Sequence, residues 1–222
     1  MLEKSAMETM RARHSVRKYL DKPVDPEIAA KLQQAVDSCN ARSGLHVQLF
    51  LDEPEAFKAN RPSYGDFSGC RNYLAVVSPK GAGEEAGYYG QLLVLRAQEL
   101  GLNTCWVGMS YNKGGLDPDV GPGEKLHMVI ALGYGETQGR PRKSKAPNGV
   151  SNVSDDSPQW FKDGVEAALL APTAKNQQGF YLELAGDKVR AKSKLCLYPK
   201  VGLGIVKRNF ELGSGRGPEV WA

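Results

Sequence analysis

Arg13-His14-Ser15-Val16-Arg17 places two guanidiniums and a hydroxyl within five residues. If the segment is extended, positions 13, 15 and 17 point the same way. Such a row can grip a phosphate or the electron-rich edge of a ring, because arginine donates paired hydrogen bonds. A solvated basic patch would look the same. A second cluster, Arg140-Pro141-Arg142-Lys143-Ser144-Lys145, reads as an exposed loop or a weak polyanion site. It lacks the interleaved aromatics of a single-strand nucleic-acid platform. Ala171-Pro172-Thr173-Ala174-Lys175-Asn176-Gln177 falls between a helix and a strand. Pro172 ends the helix, and Thr173 and Asn176 suit a tight hydrogen-bonded turn, whether or not that turn meets a ligand.

Composition narrows the partners. With 222 residues, 41% hydrophobic and 24% charged, the chain suits one globular domain with a real core. A net charge of +4 is too mild to imply nucleic acid or membrane binding unless clustered. No apolar run of transmembrane length is present, and Met1-Leu2-Glu3-Lys4-Ser5 lacks a signal-peptide stretch. A cytoplasmic location is therefore expected. Cys39, Cys70, Cys105 and Cys196 form no C-x-x-C pair and read as reduced, buried thiols. His14, His46 and His127 lack metal-ligand spacing, so no metal is expected.

The elements that must carry these residues are legible. Ser5-Ala6-Met7-Glu8 is a capping box, starting a short helix that runs to about Arg13. Asp25-Pro26-Glu27 starts a second, with Ile28, Leu32, Ala35 and Val36 on one face. Residues 46–51 and 73–77 read as strands. A third helix over about 84–100 has little polar face at Leu92-Leu93-Val94-Leu95 and is expected to be central and buried. Residues 104–107 and 126–132 read as strands, and the Gly- and Pro-rich stretch 137–156 as a long surface excursion. Ser157-Pro158-Gln159 then starts another helix, with a strand at 180–184. Pro26 and Pro158 begin similar helix–turn–strand units, which suggests internal duplication. Such units resemble one another in any case, so spacing alone leaves this open.

In this order, the motifs resemble the nitroreductase family of FMN enzymes. Arg13 to Arg17 matches its opening Arg-x-Ser-x-Arg segment. Gly101-Leu102-Asn103-Thr104-Cys105-Trp106-Val107-Gly108 matches its central strand. Lys143-Ser144-Lys145 resembles its late phosphate motif. The family's Ala-Pro-Ser-x-x-Asn turn should follow the helix at 25, yet Asp37 to Gly44 stands there. The turn instead follows the later helix, as Ala171 to Gln177, where no second arginine segment precedes Ser157. One copy of each half-site in one chain is similar to the TM nitroreductase branch, in which one chain mimics the usual dimer. Gly204 to Leu212 resembles that branch's last helix.

The resemblance implies an α+β nitroreductase-like domain over residues 1–222. It would hold a central, mostly antiparallel sheet flanked by helices and two degenerate repeats, about 5–150 and 157–222. It implies FMN as cofactor and NAD(P)H as co-substrate. The reaction would be ping-pong hydride transfer through flavin N5 to a small electron-poor acceptor such as a nitroaromatic or quinone, by a chain able to act as a monomer. Arg13, Ser15, Lys143 and Lys145 would meet the phosphate, Arg17 the pyrimidine edge, and His14 would also contact the cofactor. Backbone N–H groups of Gly108 and Met109 would face N5, Tyr64 and Gly65 would meet the ring edge, and Pro172, Thr173 and Asn176 would close the site. No protein acid or base is required, because the cofactor carries the hard step. Flavin storage without turnover, and a non-flavin anion-binding protein, stand as alternatives.

Overall fold

The computed structural model describes residues 5–58 and 66–222. Tyr64 and Gly65 lie outside them. Helix α1 (Ala6–Ala12) opens with the expected capping box, in which Glu8 N donates to Ser5 Oγ and Ser5 N to a Glu8 carboxylate oxygen, both at 3.2 Å. Helix α2 (Pro26–Ser43) is capped by Asp25, whose carboxylate accepts from Glu27 N at 2.9 Å. It runs straight through the place where the family's proline turn is expected and stops at Gly44, which adopts φ 68°.

Strands β1 (His46–Phe50), β2 (Asn72–Pro79), β3 (Asn103–Val107) and β4 (Glu124–Gly133) form one antiparallel sheet in the order β1-β2-β4-β3. Both faces of its centre are covered, so β2 and β4 read as near-continuous apolar runs. Leu74, Val76, Ile130 and Leu132 pack toward α2 and helix α3 (Gly83–Glu99). Tyr73, Ala75, Val77, Val129 and Ala131 pack on the other face with Val16, Tyr19, Ala56 and Phe57.

Helix α4 (Gln159–Leu169), the hairpin of β5 (Phe180–Ala185) and β6 (Lys188–Ser193), and helix α5 (Pro199–Ser214) build a second core around Phe161, Phe180 and Phe210. β1 thus joins the four-stranded sheet, whereas β5 pairs with β6 in a separate one. Helices α3 and α5 join the halves at very close range. A Cβ on Gly87 would sit 2.0 Å from Val201 O, and one on Gly204 1.8 Å from Glu84 O.

Three expectations change. β6 was not anticipated, because its alternation of charged and small residues carries little apolar signal. The last helix begins at Pro199, five residues before Gly204. The stretch 137–156 is tied down rather than a free excursion. Val150 and Ser151 are buried, Leu182 N donates to Val150 O at 2.8 Å, and Asn152 N donates to Leu182 O at 3.2 Å. The open edge of β5 supplies backbone partners that sequence composition does not reveal.

Candidate functional site

The Arg13–Arg17 segment is held as an extra strand beside β3. Arg13 ends α1 with extended backbone, Ser15 bridges Thr104 in parallel, and Val16 N donates to Thr104 O at 3.1 Å. Tyr19 anchors the segment from below; its hydroxyl donates to Val16 O at 2.7 Å. Val16 and Tyr19 enter the core, while Arg13, Ser15 and Arg17 line a cavity of about 740 Å³. That volume is in the range of a cofactor site. The cavity lies between this segment, the residues after β3, the 139–144 loop, the turn after α4 and the start of α5.

Its charge is one-sided. Arg11, Arg13, Arg17, Arg140, Arg142 and Lys175 line it, and no carboxylate does among the described residues. Arg11 is neutralised at the surface by Glu166 at 2.6 Å. Arg13 is different: it is 4% exposed, and its buried Nε has no hydrogen-bond partner among the described residues. Burial, then repulsion from Arg142, pulls its pKa down to about 9. His14 is held below its ordinary value by burial and by the same two arginines. Arg142 donates to the carbonyls of Leu170 and Ala171, which pins the 139–144 loop to the end of α4.

The far wall is a strained turn. Lys175, Asn176 and Gln178 have φ of 49°, 54° and 44°. Left-handed backbone at residues other than glycine costs about 1–3 kcal/mol each and persists only where surroundings impose it. Gln178 imposes it. This 1%-exposed side chain donates to Leu169 O at 3.1 Å and accepts from Lys145 N at 2.7 Å, while its backbone N donates to Thr173 Oγ1 at 2.9 Å. Pro172, Thr173 and Asn176 face the cavity. Asn176 donates to Lys143 O at 2.7 Å, and its buried Oδ1 has no partner among the described residues.

The comparisons with known proteins now have a geometry to meet. The family profile described as "Putative TM nitroreductase" matches residues 5–214. The chain belongs to this nitroreductase family. Solved structures of the same fold include a nitroreductase from Thermotoga maritima, 20% identical, covering 95% of this chain and 83% of that one, with a TM-score of 0.66. An NADH dehydrogenase/NAD(P)H nitroreductase from Parabacteroides distasonis is 20% identical over 70% of this chain and 99% of that one, with a TM-score of 0.52. A nitroreductase from Desulfovibrio desulfuricans, described in complex with FMN, is 19% identical with the same coverage and a TM-score of 0.51. No curated protein matches in sequence.

In this nitroreductase-family chain, the cavity gathers Arg13, His14, Ser15, Arg17, Gly108, Met109, Pro172, Thr173 and Asn176. Lys143 and Lys145 are not among its lining. The Lys145 ammonium instead donates to Gln178 O at 3.1 Å. Arg140 and Arg142 face inward in their place. The basic cluster signals that cations are near; Arg142, anchored to the Leu170 and Ala171 carbonyls, lines the cavity where the resemblance implies Lys143 and Lys145.

Two aromatic residues at the cavity were not anticipated. Tyr198 takes φ 52° at the head of α5 and lays its ring on Gly108; a Cβ there would sit 2.5 Å from the Tyr198 hydroxyl. Trp106 lines the cavity and begins a buried polar chain. Its indole donates to Gln91 at 3.4 Å, Gln91 to Asn209 at 2.9 Å, and Asn209 to Ala167 O at 3.1 Å. The chain couples β3, α3, α5 and α4 behind the site. Its sequence signal is faint, because Gln91 and Asn209 are only two of several polar residues on α3 and α5.

Proposed function

We propose that this chain is an FMN-dependent oxidoreductase that moves hydride from NAD(P)H to a small electron-poor acceptor, such as a nitroaromatic or quinone. The observation that carries the reading is Arg13: a buried guanidinium whose Nε has no partner, in a cavity lined by no carboxylate, among the described residues. Such a group calls for an anion. A phosphate fits it, with Arg142 and Ser15 as further donors, and the cavity volume suits a mononucleotide with a three-ring body.

The residues divide the work. Arg13, His14, Ser15 and Arg142 hold the phosphate; Arg142 takes the role the sequence assigns to Lys143 and Lys145. Arg17 lies along the same wall and favours negative charge on the ring system. Gly108 and Met109 offer backbone N–H groups, and the small residue at 108 leaves room for the Tyr198 ring. Pro172, Thr173 and Asn176 close the opposite wall. Trp106 and Tyr198 exclude water. When bound, FMN supplies the two-electron chemistry itself. One chain contributes both walls, so one site per chain and activity as a monomer are part of this proposal, as is descent of the walls from two repeats.

A yellow purified protein carrying close to one FMN per chain is the expected result. A colourless protein that fails to bind added FMN refutes the reading. Steady-state NAD(P)H oxidation with a nitroaromatic acceptor is the second measurement, and a flavin-loaded protein without turnover would support flavin storage instead.

A further inference from the structure

A second cavity, of about 610 Å³, opens on the other side of the α3–α5 pair, against α2. Its floor is apolar: Ala35 and Cys39 of α2, Leu92 and Leu95 of α3, and Leu212 of α5. On the opposite flank, Leu95 and Leu212 pack with α1, where Met10 and Ala167 complete a small core. The cavity therefore leaves one flank of the same helices open. Its charged lining is again purely cationic among the described residues: Lys31, Arg42, Arg96 and Arg208.

These four cations are not equivalent. Arg96 is paired with Glu99 at 3.2 Å, and Arg208 with Glu211 at 3.5 Å. Lys31 and Arg42 make no ion pair among the described residues, and both stand exposed on α2 above the groove. Arg42 lies near enough to the buried Cys39 thiol to favour its ionised form, although burial dominates and pushes that thiol up to about 11. The Arg208 Nε is buried without a partner among the described residues. An apolar floor with two unpaired cations, Lys31 and Arg42, on its rim matches a molecule with an apolar body and an anionic head.

We infer that the groove between α2, α3 and α5 binds a single-chain amphiphile, with its apolar body over Leu92, Leu95 and Leu212 and its anionic head at Lys31 and Arg42. The inference does not depend on the identity of the cofactor in the first cavity.

The test is calorimetric titration of the FMN-saturated protein with dodecanoate and dodecyl phosphate, below micelle formation, with dodecanol as the neutral control. One saturable site is expected, at least about tenfold tighter for an anion than for the alcohol; tenfold corresponds to about 1.4 kcal/mol, within reach of two rim charges. Whether dodecanoate or dodecyl phosphate binds better identifies the head group. The double variant K31E/R42E alters only exposed residues, and should weaken the anion about tenfold while leaving FMN affinity unchanged. Ser38→Trp, which fills the groove, should block all three ligands. Equal affinity for dodecanol, or dodecanoate binding unaltered in both variants, overturns the inference. Failure to bind FMN would refute the cofactor reading and leave this titration valid.

Discussion

Replacing Arg13 with methionine should have opposite effects on the ligand-free and the FMN-bound protein. Without a ligand, the guanidinium is buried, its Nε is unpartnered, and Arg142 repels it. The fall in pKa to about 9 marks a penalty on the order of several kcal/mol on the charged form. The sign follows from linkage: the folded state holds this proton less tightly than the unfolded state. The penalty is complete below about pH 9 and is relieved only as pH climbs toward the ordinary arginine range, so neutral pH measures all of it. Methionine keeps an unbranched apolar stem and removes the charge. Some packing is lost, so a net gain of about 1–4 kcal/mol is expected for the ligand-free protein. For a chain of this length that raises Tm by about 2–4 °C per kcal/mol.

The bound state should move the other way. Hydrogen bonds to charged groups contribute about 1.5–3 kcal/mol each, so loss of a two-pronged contact should weaken FMN by about a hundredfold or more. Thermal unfolding at pH 7, with and without saturating FMN, reads both effects, because a ligand raises Tm through its affinity. A ligand-free variant that melts below the native protein refutes the charge-penalty argument. Unchanged FMN affinity removes Arg13 from the phosphate site.

Three further perturbations separate the parts of the site. Gln91→Leu leaves Asn209 Oδ1 and the Trp106 indole without their buried partner and should cost about 2–3 kcal/mol in urea unfolding, part of which Asn209→Leu in the same chain restores. Gly108→Ala drives a methyl into the Tyr198 ring, at 2.5 Å from its hydroxyl, and should cost about 1–3 kcal/mol and weaken FMN; adding Tyr198→Ala should relieve the clash in the melting curve. His14 is held below its ordinary pKa, so its contribution to stability is complete above about pH 6.5 and is lost as pH falls from there toward the lowered value. His14→Gln should therefore flatten the acid limb of a stability–pH profile below about pH 6.5, and an unchanged limb would count against that assignment.

Much of the frame was legible because it rests on local rules. The capping box at Ser5, the proline starts at Pro26 and the Gly44 stop are short-range signals, and each element begins or ends beside its signal. The helix at 83–99 was readable as central because its apolar residues surround the axis. β6 and the anchoring of 150–152 were not readable, since both depend on what β5 leaves unpaired. The site was legible in proportion to how local each contribution is. Extended backbone places Arg13, Ser15 and Arg17 on one wall, as their spacing requires. Tyr198 reaches Gly108 from ninety positions further along the chain, and nothing near either residue announces the contact.

Burial without a partner is what distinguishes a functional cation from an ordinary one, and sequence does not report it. Arg11 and Arg13 are two residues apart and chemically identical. Arg11 is more than half exposed and satisfied by Glu166. Arg13 sits at the end of α1, where the chain turns to run beside β3, and that turn carries its side chain inward to a place no carboxylate reaches. In the later cluster, the Lys145 ammonium turns to the Gln178 carbonyl, while Arg142 is pinned to the Leu170 and Ala171 carbonyls at the cavity's edge. Counting basic residues treats all of these alike. The polypeptide sorts them through the path of its backbone, and the charge left uncompensated defines what the cavity can hold.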